Sequence, residues 1–430
     1  MTARLRGAIV SLVSGAVLLG AGGAGAQGPA GEVTVDELLA RAVAENPELR
    51  AAREEINAAA GRLRQAALRP NPMLELSGQK ALSSDNNLMV GVTLPLDLNG
   101  RKEGRVGVAE QELAVRRAQV TDRERRLRAD IRMKAGEVLA ARRNLTVIDQ
   151  LLGANRRSLG LVQQRVREGA NPTIDESLQL VEVNRLDASR ALVNSRVEVA
   201  MLQLKALAGL SPDAPLSLRG DLTTTAAPVG DRGDAVQRAV TTRPDIEAAR
   251  AEVAMGRGMI RKEEAEGRWD ASVNIGYQRQ DFGFALNGLT SSGQTRPIHD
   301  VFHYFGAGVS VTLPVWNRNE GNIAAARAST RAAERRAEFT ELMVRQEIES
   351  AFRQQDATRR SLAIYERGVR DIARQNLGVV RQAYELGRGS LLDVIAEQRR
   401  YIEIENGYTE ALKQVYDAAT DVERAVGATR

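Results

Sequence analysis

The chain states one pattern twice, and a duplicated unit of this size limits what it can fold into. Ala42-Val43 leads into Asn46-Pro47-Glu48-Leu49-Arg50-Ala51-Ala52-Arg53, and 197 residues later Ala239-Val240 leads into Arg243-Pro244-Asp245-Ile246-Glu247-Ala248-Ala249-Arg250. Val92-Thr93-Leu94-Pro95-Leu96 returns as Val311-Thr312-Leu313-Pro314-Val315 at an offset of 219, and Gly104-Arg105-Val106 as Gly321-Asn322-Ile323 at 217. Glu168-Gly169-Ala170-Asn171-Pro172-Thr173-Ile174-Asp175 returns as Leu386-Gly387-Arg388-Gly389-Ser390-Leu391-Leu392-Asp393, with the glycines Gly169 and Gly387 offset by 218. A period this long describes a duplicated domain-sized unit, not a solenoid, and the drift marks insertions between landmarks.

Proline placement divides each copy. None occurs between Leu96 and Asn171 or from Val315 to the end, and both stretches are rich in Ala, Arg, Glu, Gln and Leu. Such stretches predict long helices. In the first, Leu113, Val120 and Leu127 recur every seven residues, and Ile131, Val138, Leu145, Leu152, Leu159 and Val166 continue the frame after a four-residue step. One heptad frame throughout predicts left-handed coiled-coil packing. A helix from Arg101 to Glu168 would be roughly 100 Å long, more than a membrane's thickness, so it must project through water. Gly169 to Pro172 break it, and a second helix returns from Ile174 to about Leu207. Gly387 to Ser390 repeat the device, glycine capping one helix and Thr or Ser the next. Each copy therefore holds a long antiparallel helical hairpin, with tips at 169–175 and 387–393.

The other element in each copy alternates. Trp269, Ala271, Val273, Ile275 and Tyr277 interleave with polar or small residues, as do Phe305, Ala307, Val309, Val311 and Leu313 and, in the first copy, Leu88, Val90, Val92, Leu94 and Leu96. These are strands with one apolar face, in hairpins over about 72–97 and 268–316. Eight of the fifteen aromatics cluster here: Trp269, Tyr277, Phe282, Phe284, Phe302, Tyr304, Phe305 and Trp316, as an interfacial girdle would place them. A soluble sandwich is the alternative, but four strands leave little for a second sheet. Four strands cannot close a barrel alone, and open edges in lipid cost several kcal/mol per unsatisfied group; three chains would supply twelve strands.

Arg4 and Arg6 precede an apolar run from Ala8 to Leu19 and the small residues Ala24-Gly25-Ala26, the pattern of a cleaved secretory signal over 1–26. The first repeat then covers 27–208, a connecting segment 209–233 and the second repeat 234–430. Cysteine is absent, which removes disulfides, thiol catalysis and thiolate metal sites, and with them lipidation. A net charge of +5 from 60 basic and 55 acidic residues is interspersed along helices; no basic cluster with aromatics suggests nucleic acid. No nucleophile–base pair, phosphate loop or paired-carboxylate cleft suggests an enzyme or a cofactor.

With these landmarks the sequence resembles the TolC-like outer-membrane efflux proteins over essentially the whole mature chain. The resemblance rests on the duplication, the paired strand-to-helix junctions and the two Gly-x-x-x-x-x-Asp tips. Leu98-Asn99-Gly100-Arg101-Lys102 and Trp316-Asn317-Arg318-Asn319-Glu320-Gly321-Asn322-Ile323 resemble the junctions of the heavy-metal, CzcC-like branch. The resemblance implies an α+β membrane protein: a homotrimer in which twelve strands form a β-barrel across outer-membrane lipid and coiled-coil helices form an α-barrel through the periplasm. It implies a passive duct fed by an inner-membrane pump of the RND type through a periplasmic adaptor, with heavy-metal cations as cargo. The same fold could export drugs or proteins, and a structural periplasmic coiled-coil protein is a further alternative.

The resemblance places Asp393 in a periplasmic constriction and has Tyr384 hold the tube shut by bonding to Asp175; Glu397 stands beside Ala396, where a second acidic lining residue is expected. The plainer reading makes both aspartates first-turn residues favoured by the helix dipole. Gly169, Gly387, Ser390 and Leu391 are the expected adaptor contacts, or simply turn formers. His299 and His303, the chain's two histidines, flank Asp300. A metal cluster there requires a turn or helix to bring i and i+4 together; an incidental loop pair is the alternative.

Overall fold

The structure, a computed structural model, describes residues 32–82, 85–223 and 231–427; the signal expected over 1–26 lies outside them, as do Thr224 and Thr225 of the connecting segment. The first repeat runs β1 (Glu32–Thr34), α1 (Val35–Glu45), α2 (Pro47–Ala66), β2 (Met73–Lys80), β3 (Asn86–Pro95), α3 (Arg101–Arg167) and α4 (Thr173–Leu207). After β4 (Ser217–Arg219), the second runs α5 (Arg232–Thr242), α6 (Pro244–Glu266), β5 (Asp270–Leu289), β6 (Thr295–Thr312), α7 (Glu320–Ile364), a π-turn (Tyr365–Val369), α8 (Arg370–Glu385) and α9 (Leu391–Val426).

The 67 residues of α3 obey the heptad frame: Leu113, Val120, Ile131, Val138 and Leu152 are buried, and Leu127, Leu145, Leu159 and Val166 are half-buried. Its contacts build a wall one helix thick. Near the sheet the order is α2, α3, α6, α7; towards the tips it is α4, α3, α9, then α7 and α8. The wall therefore ends on first-repeat helices at one edge and on α7–α8 at the other. The core lies where α1 and the β1–β4 pair dock on it: Leu38, Ile131, Val138 and Leu204 are fully buried there with Leu412 and Tyr416.

Strands β2, β3, β5 and β6 form one antiparallel sheet in that order. Register puts Leu76, Val90, Tyr277 and Phe305 in one row and Leu74, Val92, Ile275 and Ala307 in the next, so one face is continuously apolar. The aromatics expected as a single girdle divide instead. Tyr277 and Phe305 lie on the apolar face, as strand alternation requires, while Phe302 and Tyr304, paired with Gln280 and Gln278, lie on the opposite one. Phe282 shares that opposite face, and Phe284 falls in the bulged stretch between Gly283 and Asn287.

The duplication is physical as well as sequential. The residue before each helix-starting proline grips the C-terminus of its own repeat: Asn46 Nδ2 donates to the Leu207 carbonyl at 2.9 Å, and Arg243 Nη1 to the Ala425 carbonyl at 2.6 Å. Arg53 and Arg250 follow suit, donating to the Val43 and Val240 carbonyls at 2.9 and 3.1 Å. These bonds satisfy carbonyls and anchor the returning helix to its starting point. Asn99 and Asn319, at the two strand-to-helix junctions, both adopt the left-handed conformation, with φ of 61° and 60°.

The copies differ in the run of their long helices. The Pro-free stretch predicts an unbroken second long helix, yet the chain winds into a π-turn at Tyr365–Val369, where Gly368 has φ 138°. A Cβ on Gly407 would lie 2.5 Å from the Tyr365 hydroxyl, so the ring packs against bare α9 backbone.

Two glycine substitutions should move stability in opposite directions. At Gly209 (φ +73°) a Cβ would lie 2.8 Å from Pro47 Cδ, so Gly209→Val should lower the thermal midpoint by the equivalent of about 1–3 kcal/mol. Gly160, inside α3 with nothing within 4 Å, should gain roughly 0.5–1 kcal/mol as alanine. Circular-dichroism melts of the purified protein check both signs.

Candidate functional site

The two hairpin turns are built alike. Ala170 N–H donates to the Arg165 carbonyl and Gly169 N–H to Val166, and Arg388 N–H to Ala383 and Gly387 N–H to Tyr384, all between 2.8 and 3.1 Å. Gly169 and Gly387 supply the positive φ (75° and 72°) that this closure needs. Both glycines and Ser390 are exposed at the extreme tips. Leu391 is not: as the first residue of α9 it turns inward, 3 % exposed, while its neighbour Leu392 is 59 % exposed. The apolar surface at the tips is therefore Ile174, Leu386 and Leu392, and Leu391 instead lines a cavity of about 290 Å³ between α3, α4, α8 and α9, with Arg165, Gln179, Arg381 and Tyr384.

Asp175 and Asp393 hold equivalent third positions of their helices, yet their neighbours give them different work. The residue capping α9 is Ser390, so Asp393 closes a capping box: its Oδ2 accepts from Ser390 N–H at 3.3 Å and Ser390 Oγ–H at 2.9 Å. The residue capping α4 is Pro172, not the expected Thr173. Proline has neither a backbone N–H nor a hydroxyl to donate, so Asp175 looks elsewhere. Its Oδ2 accepts from Asn171 Nδ2 at 2.9 Å, and the same amide donates to the Tyr384 hydroxyl at 3.2 Å. Asn171, which sequence reasoning passed over, thus bridges Asp175 and Tyr384, whose hydroxyl also faces the Asp175 carboxylate. Burial first, and the Asp175 carboxylate next, push the Tyr384 phenol above its ordinary range. The neutral ring keeps a proton to turn towards Asp175, and the cluster joins the first-repeat tip to α8.

Asp393 is exposed on α9 beside Ala396 and Arg400. Glu397, one helical turn on from Asp393, is only 9 % exposed within the protomer and accepts from Arg400 Nη1 at 2.9 Å. His299 and His303 also fail to converge. Both lie on extended β6, four residues and so about 13 Å apart along the strand, with Asp300 on the other face; His303 Nδ1 instead meets the Tyr277 hydroxyl at 2.8 Å. No cluster of three His, Asp or Glu side chains able to hold a metal ion occurs among the described residues.

A second polar assembly braces the π-turn. Glu405, with its side chain 1 % exposed, accepts from Arg370 Nε at 2.8 Å and the Tyr401 hydroxyl at 3.0 Å, with Arg143 and Arg374 within 3.7 and 3.9 Å. Arg143 and Arg370 also sit over the Tyr408 ring, at 5.1 and 4.9 Å from its centroid. Burial opposes the Arg370 charge, but the Glu405 carboxylate outweighs it and raises the guanidinium's pKa. The arrangement ties α3, α8 and α9 together at the level where the second long helix breaks. Nothing in the linear sequence marks Glu405 among the chain's 55 acidic residues.

A two-copy wall of long helices carrying an amphipathic sheet, with paired turns at its far end, is the form of an export channel. The chain belongs to the outer membrane efflux protein family, whose model matches residues 38–210 and 235–428, one stretch per repeat. It is 23 % identical over 398 residues, 93 % of this chain and 91 % of the relative, to the cobalt-zinc-cadmium resistance protein CzcC of Cupriavidus metallidurans. Solved structures share the fold: CusC (15 % identity, TM-score 0.74, 92 % of each chain) and VceC of Vibrio cholerae (19 %, TM-score 0.73, 91 % of this chain and 96 % of that one). The expected α+β architecture of TolC-like outer-membrane efflux channels stands.

Removing the buried carboxylate while keeping its shape tests the brace. Glu405→Gln leaves three arginines around a neutral group and should cost roughly 3 kcal/mol, read as a lower thermal midpoint. An unchanged midpoint would mean that the arginines are neutralised by something else.

Proposed function

We propose that three copies of this chain close into one duct, its barrel in the outer membrane and its helical tube in the periplasm, through which metal cations leave the cell. The observation that carries the reading is a shared pair of open edges. The sheet ends on β2 and β6, each with one side unpaired, and no helix among the described residues is long and apolar enough to cross a membrane. The apolar sheet face is then the surface suited to lipid, and unpaired strand edges in hydrocarbon must find partners. Joining β6 of one copy to β2 of the next also brings α7–α8 against the neighbour's first-repeat helices. Both wall edges carry exposed apolar stripes for this contact: Ile174, Val181, Leu192 and Val199 on α4, and Phe339, Leu342, Ile364, Ile372 and Val379 on α7–α8. Such stripes on a water-surrounded helix mark an interface.

Metal cations are the favoured cargo because the curated relative carries a cobalt-zinc-cadmium resistance name; export of drugs or proteins is the competing reading. The exposed tips, with Gly169, Gly387, Ser390 and Leu392, are suited to dock a periplasmic adaptor that links the duct to an inner-membrane pump of the RND type. The Tyr384–Asn171–Asp175 cluster serves as a latch on the periplasmic end, and Asp393, exposed beside it, contributes one carboxylate per copy to the entrance. Trimeric carboxylates there favour cations.

Purified protein should size as a trimer in detergent and conduct in planar bilayers. Tyr384→Phe and Asn171→Ala each remove a latch bond worth about 0.5–1.5 kcal/mol per copy, and three copies acting on one opening should raise conductance several-fold. Asp393→Asn should lower cation selectivity and reduce cobalt, zinc or cadmium tolerance of an expressing strain. Gly387→Trp should abolish tolerance without preventing membrane insertion. A monomer in detergent would end the trimer reading, and unchanged conductance in both latch variants would end the latch.

A further inference from the structure

The polar face of the sheet changes character along its length. Towards the helices it carries small and polar side chains: the row Glu75, Gly91, Gly276, Gly306 has three glycines across adjacent strands, and between it and the helices stand Thr93 on β3, Asn274 and Ser272 on β5, and Gly308, Ser310 and Thr312 on β6. The next two rows outward place Tyr304 beside Gln278, then Phe302 beside Gln280, and Phe282 follows. These rings touch one another along the strands: Phe302 lies 6.4 Å from Tyr304, stacked, and 5.8 Å from Phe282, edge-on. Aromatics belong to the lipid face or interface of a barrel strand, while the inner face is polar. A connected aromatic ridge on the inner face, starting directly beyond a glycine belt, is neither girdle nor fold requirement.

On the reading that three copies close a barrel with the apolar face outward, we propose that Phe282, Phe302 and Tyr304 form a collar inside its outer mouth, a second constriction distinct from the periplasmic latch. A twelve-stranded closure is on the order of 24 Å across at the backbone. The glycine belt leaves that width open, and the three ridges narrow it from three sides. Apolar constrictions resist wetting and so hold back hydrated solutes, which makes the collar a barrier to entry of external ions and polar solutes while the inner end is shut. Aromatic faces also attract cations, so a cation driven outward meets less resistance there than an anion.

The absence of cysteine makes the test direct. Ser310→Cys places a single thiol on the inner face below the collar, Val309→Cys one on the lipid face, and Asn287→Cys one in the outer hairpin as a labelling control. Intact cells are treated with a maleimide on a hydrophilic polymer too large to enter through porins. Labelling at position 310 should be slow with the rings present and about tenfold faster with Phe302→Ser and Tyr304→Ser combined, a barrier change of about 1.4 kcal/mol; Phe302→Trp should slow it further. Position 309 should stay unlabelled in every background, which also shows that the doubly substituted barrel has assembled. Equal rates at 310 with and without the rings, fast or slow, would overturn the collar and leave the trimeric duct standing. Labelling at 309 in place of 310 would mean that the faces are reversed, and the duct reading itself would fall.

Discussion

A strand edge cannot be left open in hydrocarbon. Each unsatisfied backbone group there costs several kcal/mol, and this chain presents two such edges on a sheet whose other surfaces are already committed. The apolar face built by Leu76, Val90, Tyr277 and Phe305 suits lipid, and the opposite face, of glycine, serine and glutamine around the Phe282–Phe302–Tyr304 ridge, suits a channel interior. Among the described residues the sheet's edges, β2 and β6, each lack a partner on one side. Because the helical wall grows directly out of the same strands, whatever partner closes the sheet also fixes the wall, and α4 and α7–α8 carry exposed apolar side chains in the matching order. One unmet hydrogen-bonding requirement thus organises both layers.

Duplication supplies the scaffold, and small departures from it set the two halves apart. The repeats share their turn closures, their X-Pro anchors and their left-handed asparagines. Against that background Pro172 opposite Ser390 is decisive. The serine lets Asp393 close its own helix cap, whereas the proline leaves Asp175 to share the Asn171 amide with Tyr384. A second departure is the π-turn at Tyr365–Val369 with its buried Glu405 brace, where α3 of the first copy runs on as one α-helix. π-turns are energetically costly insertions, found most often at functional positions.

The long helices and strands were legible because each rests on a periodic signal many residues long. The heptad frame of α3 and the alternation of β3, β5 and β6 survive any single exception. Single positions were harder to read. Five glycines inside α3 (Gly104, Gly107, Gly136, Gly153 and Gly160) remain helical, so Gly368 in the second copy gave no warning that it would not. Leu391 is separated from the tip surface by one residue, a shift of about 100° that spacing without a phase reference cannot fix, and Glu397, one turn from exposed Asp393, is buried by what packs beside it, which spacing does not show. The histidines fall before Phe305, where the alternating pattern of the second strand becomes regular; β6 begins ten residues earlier, at Thr295, runs through them and holds them apart. Aromatic clustering was visible, but which ring faces which side depends on register, and register is set by pairing.

The central claim is that β6 of one copy pairs with β2 of another. Disulfide cross-linking tests it directly, since any thiol in the chain is one deliberately introduced. Single cysteines on the polar face of β2 (Glu75, Ser77, Gln79) are combined with single cysteines on the same face of β6 (Gly306, Gly308, Ser310), oxidised in outer membranes and run on non-reducing gels. The account predicts covalent dimers and trimers from one consistent register of β2–β6 pairs, and none from β2–β2 or β6–β6 combinations. Monomers throughout, or cross-links between like strands, would contradict it.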